Sequence, residues 1–224
     1  MLGLKLNLNV FINIHTHAEI FDAKVELVSL HVEETTKPSL YSYGIHPWKV
    51  NSQSEFLFDE LERVSRNRRC MAVGECGLDK TIDVDFDLQE KIFIEQVRLA
   101  NEIEKPLVIH CVKAFNELIA ILKKEKNHVP VIIHGFNNNL NIVESLLKED
   151  YYLSFGKALL TEQSNASEVI KHVGRKRLFL ETDDAKVSIK YIYKKAAELL
   201  GIDEVILQEQ LRNNYQSVFK EEIM

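Results

Sequence analysis

The sequence predicts an α/β fold: a (β/α)8 TIM barrel, short for its class and lacking a helix after the first strand. Three observations predict it. Eight apolar, β-prone runs recur along the 224 residues, and most are followed by a stretch of helical period. Runs such as Val131-Ile132-Ile133 are apolar without alternation, as strands buried on both faces are. Five of the eight histidines, with one glutamate and one aspartate, fall at the ends of the predicted strands.

The first strand runs through Val10-Phe11-Ile12 into Asn13-Ile14-His15-Thr16-His17. If the strand bends after His15, both imidazoles can face one point at its carboxyl end. Upstream, Leu4, Leu6 and Leu8 alternate with Lys5, Asn7 and Asn9. That stretch reads as strand and not as a signal peptide, since it has no basic region and no small-residue cleavage site. Val25 to Leu30 is the second strand, too close to the first for a crossover helix. Lys37-Pro38 breaks the chain, and Leu40 to Ile45 is the third strand. It leads into His46-Pro47-Trp48, where Pro47 stops the ladder and holds His46 extended.

Ser54 to Asn67 turns helical, with Phe56, Leu57, Leu61 and Val64 on one face and Ser54 as N-cap. Met71 to Glu75 is the fourth strand, followed by a helix from Asp87 to Glu104. Pro106 to His110 and Phe115 to Lys124 form the fifth strand and its helix; Pro130 to His134 and Leu140 to Leu147 form the sixth. Tyr151 to Gly156 is the seventh strand, with a helix from Glu162 to His172, and Arg177 to Glu181 is the eighth. Helices from Ile189 to Leu200 and from Asp203 to Phe219 follow, the latter capped by Asp203. No Gly/Ser- or Pro-rich linker divides residues 1–224, which read as one domain. An open doubly wound sheet is the alternative, but no Gly-x-Gly-x-x-Gly turn follows a strand.

Composition narrows the partners. The net charge of −6 repels nucleic acid from the body of the protein, so any such contact needs a local basic patch. Three cysteines, Cys70, Cys76 and Cys111, suit free thiols in a reducing compartment, not a disulfide scaffold. No apolar run has the length of a membrane span, and a cytoplasmic location is the expectation.

The chemistry gathers at the strand ends: His15, His17, His46, Glu75, His110, His134 and Asp183. In a barrel these ends converge on one site. Imidazoles with carboxylates suit Zn, Mn, Fe or Ni, and Mg less because it prefers oxygen. One or two divalent metal ions are expected. Glu75 is the natural bridging ligand of a pair, since its carboxylate has two oxygens and Gly74 and Gly77 let the backbone approach closely. A metal pair lowers the pKa of water and clamps attacking and leaving oxygens. Asp183 can ligate a metal and receive the proton of that water. Cys76 and Cys111 read as small buried thiols. Trp48 either stacks on a substrate base or sugar or packs at the barrel mouth.

Seven segments resemble the TatD family of metal-dependent hydrolases, among the amidohydrolase-type barrels. They are Asn13-Ile14-His15-Thr16-His17, Gly44-Ile45-His46-Pro47, Gly74-Glu75-Cys76-Gly77-Leu78-Asp79, Leu107 to Cys111, His134-Gly135-Phe136, Ser154-Phe155-Gly156 and Leu180-Glu181-Thr182-Asp183. Asn214 to Phe219 resembles the family's last helix. The resemblance implies a (β/α)8 barrel and a metal-dependent deoxyribonuclease, typically exonucleolytic. It implies His15, His17, Glu75, His110, His134 and Asp183 as metal ligands and His46 beside the substrate phosphate. The chain departs from the family at Asn13, where Asp is usual, and at Val112-Lys113, where Arg follows His-Cys. It departs again at Asp184-Ala185-Lys186 in place of Ala-Pro, and in the short segment between the first and third strands.

Two substrates fit these residues: DNA, as a single strand or a 3′ end, or a small amide, ester or phosphoester on the same site. A metal-binding protein without catalysis is a third reading, disfavoured by the complete ligand set. Lys49, Lys80, Lys113, Lys157 and Lys186 each follow a predicted strand end, which gives a positive mouth on a negative body. Lys113 and Lys157 are the foremost phosphate contacts expected, with ~2–3 contacts formed at once and a log–log salt slope of roughly −1.4 to −2.1.

Overall fold

The computed structural model describes residues 10–36 and 38–223. The alternating stretch around Leu4, Leu6 and Leu8, and Lys37 before Pro38, lie outside the described residues. Among the described residues eight strands form one parallel sheet in sequence order. They are β1 (Ile12–Thr16), β2 (Val25–His31), β3 (Leu40–Gly44), β4 (Cys70–Asp79), β5 (Leu107–Val112), β6 (Val131–Ile133), β7 (Tyr152–Phe155) and β8 (Leu178–Leu180). The ends meet just past β8: Asp183 N–H donates to the His15 carbonyl (3.0 Å) and His17 N–H donates to the Asp183 carbonyl (3.2 Å). The sheet thereby curls into a nearly closed (β/α)8 barrel.

Seven α-helices accompany the strands among the described residues. They are α1 (Phe58–Ser65), α2 (Phe86–Ile103), α3 (Phe115–Lys124), α4 (Leu140–Lys148), α5 (Asn165–Val173), α6 (Ile189–Leu200) and α7 (Glu204–Phe219). Residues 17–24, between β1 and β2, contain no helix, as the short spacing predicts. Eight residues in extended form reach ~26–29 Å, enough to return along a five-residue strand of roughly 17 Å. The buried Glu26 carboxylate fastens this link by accepting from the N–H groups of Ile20 (2.9 Å), Phe21 (3.0 Å) and Asp22 (3.0 Å).

Two apolar clusters hold the layers. The larger joins one face of the strands to the helices, through side chains such as Phe93, Val97, Leu118, Leu122, Ile170 and Ile192. The second takes Ile14, Leu27, Ala72, Val108, Ile132, Tyr152 and Phe179 from the strands and packs them with Tyr215, Val218 and Phe219 of α7. Val108 and Ile132 lie two residues before His110 and His134, so strand alternation puts apolar packing beneath the polar strand ends.

Local chemistry explains where observed boundaries differ from the predicted ones. The helix expected from Ser54 opens as a 3-10 turn, Ser54–Leu57, before α1. Ser54 does not cap it: its hydroxyl accepts from Asn51 N–H at 2.9 Å. The tighter turn shifts the side-chain phase, and Phe56, expected on the buried face, is 78% exposed. α5 begins three residues later than Glu162, because the Ser164 hydroxyl caps it by accepting from Ser167 N–H. Asp203 caps α7 as expected.

β4 runs past the expected end at Glu75 to Asp79, and its glycines make that possible. Gly77 has φ +138°, and a Cβ there would sit 2.0 Å from the His110 carbonyl oxygen; at Gly74 one would sit 2.3 Å from that of Val108. Both collisions are with β5 backbone and cannot be relieved by a rotamer change. Gly77→Ala is therefore expected to destabilise the fold by at least about 3 kcal/mol. Urea unfolding of the metal-free protein would measure it, and a loss under about 1 kcal/mol would contradict the close β4–β5 approach.

Candidate metal centre

Glu75 is the hub of the site. It is 5% exposed, and its two oxygens face different imidazoles. Oε2 lies 3.4 Å from His15 Nε2 and 3.8 Å from His17 Nε2, both carried on β1 and its end. Oε1 lies 2.8 Å from His46 Nε2, 3.1 Å from His110 Nδ1 and 2.7 Å from His134 Nε2. Asp183 Oδ1 closes the first set, 3.6 Å from His15 Nε2 and 3.3 Å from His17 Nε2. The structure thus brings together every residue expected at the centre: His15, His17, His46, Glu75, His110, His134 and Asp183. Possible ligand trios among the described residues are His15/His17/Asp183, His15/Glu75/His134, His46/Glu75/His110 and His134/Glu181/Asp183.

Two further carboxylates support this set, and the sequence reading gives neither a role. Asp79 Oδ2 lies 3.2 Å from His110 Nε2, leaving Nδ1 directed at Glu75. Glu181, fully buried, lies 3.6 Å from His134 Nδ1 and accepts from Gly135 N–H at 2.7 Å. Such outer carboxylates fix the tautomer and orientation of histidines that bind metal. The signal was present in Gly-Leu-Asp79 and Glu181-Thr-Asp183, where each acid neighbours a candidate ligand in sequence.

The donors fit divalent ions. Both nitrogens of His15 and of His134 are buried and make no hydrogen bond, and Glu181 Oε2 is in the same state. The 2.7 Å approach of His134 Nε2 to Glu75 lies off the line of a hydrogen bond. Unpaired buried polar atoms are costly, and cations held between imidazoles and carboxylates would give them partners.

Electrostatics run the same way. Burial pushes the Glu75 carboxyl up, but the charge of His134 and the close approach of the His110, His134 and His15 imidazoles outweigh it and hold it well below the usual range. Burial also opposes ionisation of Asp183, and His15 and His17 overcome it to hold that carboxyl low. For His134 the cost of burial is exceeded by the pull of Glu75 and Glu181, which raises it well above an ordinary histidine. His46 is lowered, because burial outweighs its bond to Glu75. The Asp79 carboxyl is held down to about 2 against burial by bonds from Thr81, Trp48 and His110.

The neighbours of the centre are also defined. His46 Nδ1 accepts from Trp48 N–H (3.1 Å), which leaves its proton on Nε2, facing Glu75. Trp48 is 59% exposed, donates from Nε1 to Asp79 Oδ2 at 2.8 Å, and sets its ring edge-on to His46 and His110 at the mouth. Asn13, in place of the usual Asp, is buried and pairs by its amide with Thr182: Nδ2 donates to Oγ1 (2.8 Å) and Oδ1 accepts from N–H (3.0 Å). It secures the backbone before Asp183 and needs no negative charge to do so. Lys113 is exposed beyond β5. Lys80 and Lys157 are engaged with Glu117 and Asp184, so the expected five-lysine mouth is partly neutralised. Cys76 is fully buried and burial pushes its thiol far up, while the Cys111 thiol is raised to about 12; neither belongs to a possible ligand group among the described residues.

A cavity of about 360 Å³ opens over the centre, lined by His17, His46, Trp48, Lys49, Glu75 and Asp183 among others. Among the described residues no helix is long and apolar enough to cross a membrane.

A barrel with this histidine–carboxylate centre at the carboxyl ends of its strands belongs to the metal-dependent hydrolases. Within that class the chain is a member of the family described as TatD related DNase, whose model matches residues 5–220. It is 29% identical over 172 residues to an uncharacterized metal-dependent hydrolase, YabD, of Bacillus subtilis, covering 70% of this chain and 68% of that one. It is 29% identical over 144 residues to the 3′-5′ ssDNA/RNA exonuclease TatD of Edwardsiella piscicida, covering 62% of this chain and 55% of that one. Among solved structures it is similar to YjjV, a TatD homologue from Escherichia coli K12, with a TM-score of 0.77 and 22% identity over 88% of this chain and 87% of that one.

Proposed function

We propose that this chain is an exonuclease that hydrolyses phosphodiester bonds at the end of single-stranded nucleic acid, with divalent ions as cofactor. The observation that carries the reading is the split of Glu75: one oxygen toward His15 and His17, the other toward His110 and His134. His15, His17 and Asp183 would hold one ion, His110 and His134 a second, and Glu75 would join them. Bound there, the ions would supply positive charge to phosphate oxygens and acidify water.

The chain's own residues do the rest. Asp183 is half-buried and held ionised, so it is placed to accept the proton of the attacking water. His46 lines the cavity with its Nε2–H on Glu75 Oε1 at 2.8 Å, and would turn that donor to a non-bridging phosphate oxygen once the Glu75 carboxylate is engaged by the ions. Trp48, fixed by Asp79, offers the exposed face of an indole to the terminal base. A cavity of about 360 Å³ admits one residue of a strand, not a duplex, which favours attack at an end. The attacking water oxygen bonds to phosphorus, the ester P–O bond breaks, and the departing oxygen is protonated from solvent.

The test is digestion of 5′-labelled single-stranded DNA and RNA by metal-loaded protein, beside substrates with a blocked 3′ end and a panel of small esters and amides. A ladder shortening from the free end is expected. Turnover of the small esters alone would replace the nuclease reading with a small-molecule hydrolase; turnover of nothing would leave a metal-binding protein.

With Lys80 and Lys157 engaged, Lys49, Lys113 and Lys186 are left of the five lysines expected at the mouth. About two phosphate contacts, and so a salt slope of about −1.4, are expected for very short strands. Lys113→Ala should halve that slope and raise KM several-fold at unchanged kcat. Steady-state kinetics at several salt concentrations would check it, and an unchanged KM would remove Lys113 from the substrate path.

A further inference from the structure

The link between β1 and β2 does more than connect them. Where a crossover helix is missing, an open groove leads away from the metal centre along α6. A cavity of about 510 Å³ shares His17 and Asp183 with the catalytic cavity and runs past Ile20 and Lys186. It shares Asp22 with another of about 610 Å³, lined by Phe21, Lys24, Lys190, Tyr191 and Lys194. Phe21 and Tyr191, 81% and 66% exposed, line that same cavity.

Phe21 is held out deliberately. Its φ is +55°, a left-handed conformation that bulky residues rarely adopt. The buried Glu26 carboxylate imposes it by gripping three successive amides, Ile20 to Asp22. A buried charge spent on presenting an exposed ring marks a built feature and not a loose loop. The acids nearby are occupied: Asp22 accepts from Ile189 N–H (3.1 Å) and Glu204 from the Gln208 amide (3.2 Å). Both keep their charge, and Lys24, Lys190 and Lys194 outnumber these two acids by one in this part of the groove.

We propose that this groove is a second binding track for single-stranded nucleic acid, which takes the part of the strand upstream of the end lying at the metals. Phe21 and Tyr191 stack on bases, and the three lysines meet backbone phosphates. Aromatic platforms interleaved with basic residues hold single strands in this way without sequence preference. Phe21 is four positions after His17, so their Cα atoms lie within ~14 Å, a span of a few nucleotides. The acidic body leaves such a strand few other places to bind. The inference rests on the nuclease reading, and the experiment separates the two.

KM is measured for a dinucleotide and for a single strand of about twelve nucleotides, with wild type, the double variant Phe21→Ala/Tyr191→Ala, and Phe56→Ala as an exposed aromatic outside the groove. Wild type and Phe56→Ala should show a KM at least about tenfold lower for the longer strand. The double variant should lose that advantage and keep dinucleotide kinetics unchanged; both rings are exposed, so folding is not at stake. Retention of the length advantage in the double variant would overturn the track. Fluorescence anisotropy of the same labelled strand in chelator reports on the groove without hydrolysis. Weakening by about tenfold in the double variant supports the track even if wild type cleaves no phosphodiester, in which case only the nuclease reading falls. Equal binding by both proteins, or by neither, overturns it.

Discussion

Asp183→Asn lowers kcat by about three to four orders of magnitude and leaves the barrel standing. The side chain is the most exposed carboxylate of the centre, yet His15 and His17 hold it ionised against burial. Asparagine keeps the shape but can neither take a proton from water nor balance the charge of an ion. Loss of a general base costs ~10²–10⁴ in rate, and loss of a ligand adds to it. The backbone here closes the barrel through bonds to His15 and His17, at φ +54°. Asparagine tolerates that left-handed conformation better than most residues, so those bonds survive the exchange. Steady-state kinetics with metal content measured on the same sample would check the result. A kcat within threefold of wild type at equal metal content would take the proton from Asp183 and give it to another group.

Much of this centre is legible in the sequence because a barrel converts position along the chain into position in space. A polar residue at the carboxyl end of any strand faces the same axis, so His15, His110, His134 and Asp183 converge although up to 168 residues separate them. What position alone cannot supply is which side-chain atom faces which neighbour. Asp79 and Glu181 looked like motif residues, and only the rotamers show them behind His110 and His134. Nor does position show that the Trp48 indole N–H meets Asp79. The lysines failed differently: a long exposed side chain takes whichever acid is near, and Glu117 and Asp184 come from elements with no sequence link to Lys80 and Lys157. At the start of α1, the 3-10 geometry that turns Phe56 outward depends on a hydroxyl bonding backward to Asn51, a local competition that periodicity does not register. The groove beside α6 was half visible. A missing helix follows from the spacing of β1 and β2, but the surface it uncovers depends on the path of the link, and that path is set by Glu26.

Glu75→Gln should abolish metal-dependent stabilisation as well as turnover. In the wild type each carboxylate oxygen serves a different group of imidazoles, and the charge sits at 5% exposure. The amide has one acceptor oxygen, and its NH2 would face either the His15/His17 side or the His46/His110/His134 side, opposing a cation there. Bound metal per chain is expected to fall to half or less, and kcat by more than about 10³. Rate alone does not separate lost chemistry from a damaged fold, so the decisive reading is thermal. An ion that binds only the folded chain stabilises it by roughly 4 kcal/mol at a thousandfold excess over its Kd. The wild-type melt should therefore shift down on adding chelator, while the Glu75→Gln melt should scarcely move. The metal-free variant also loses the anion beside His15 and His134, and those two imidazoles become neutral more readily once it is gone. A variant that folds, yet has the same melt with and without chelator, identifies Glu75 as the joint between the two halves of the centre. A chelator shift equal to the wild type's would return Glu75 to the role of a buried counter-charge and leave the metal to the histidines and Asp183 alone.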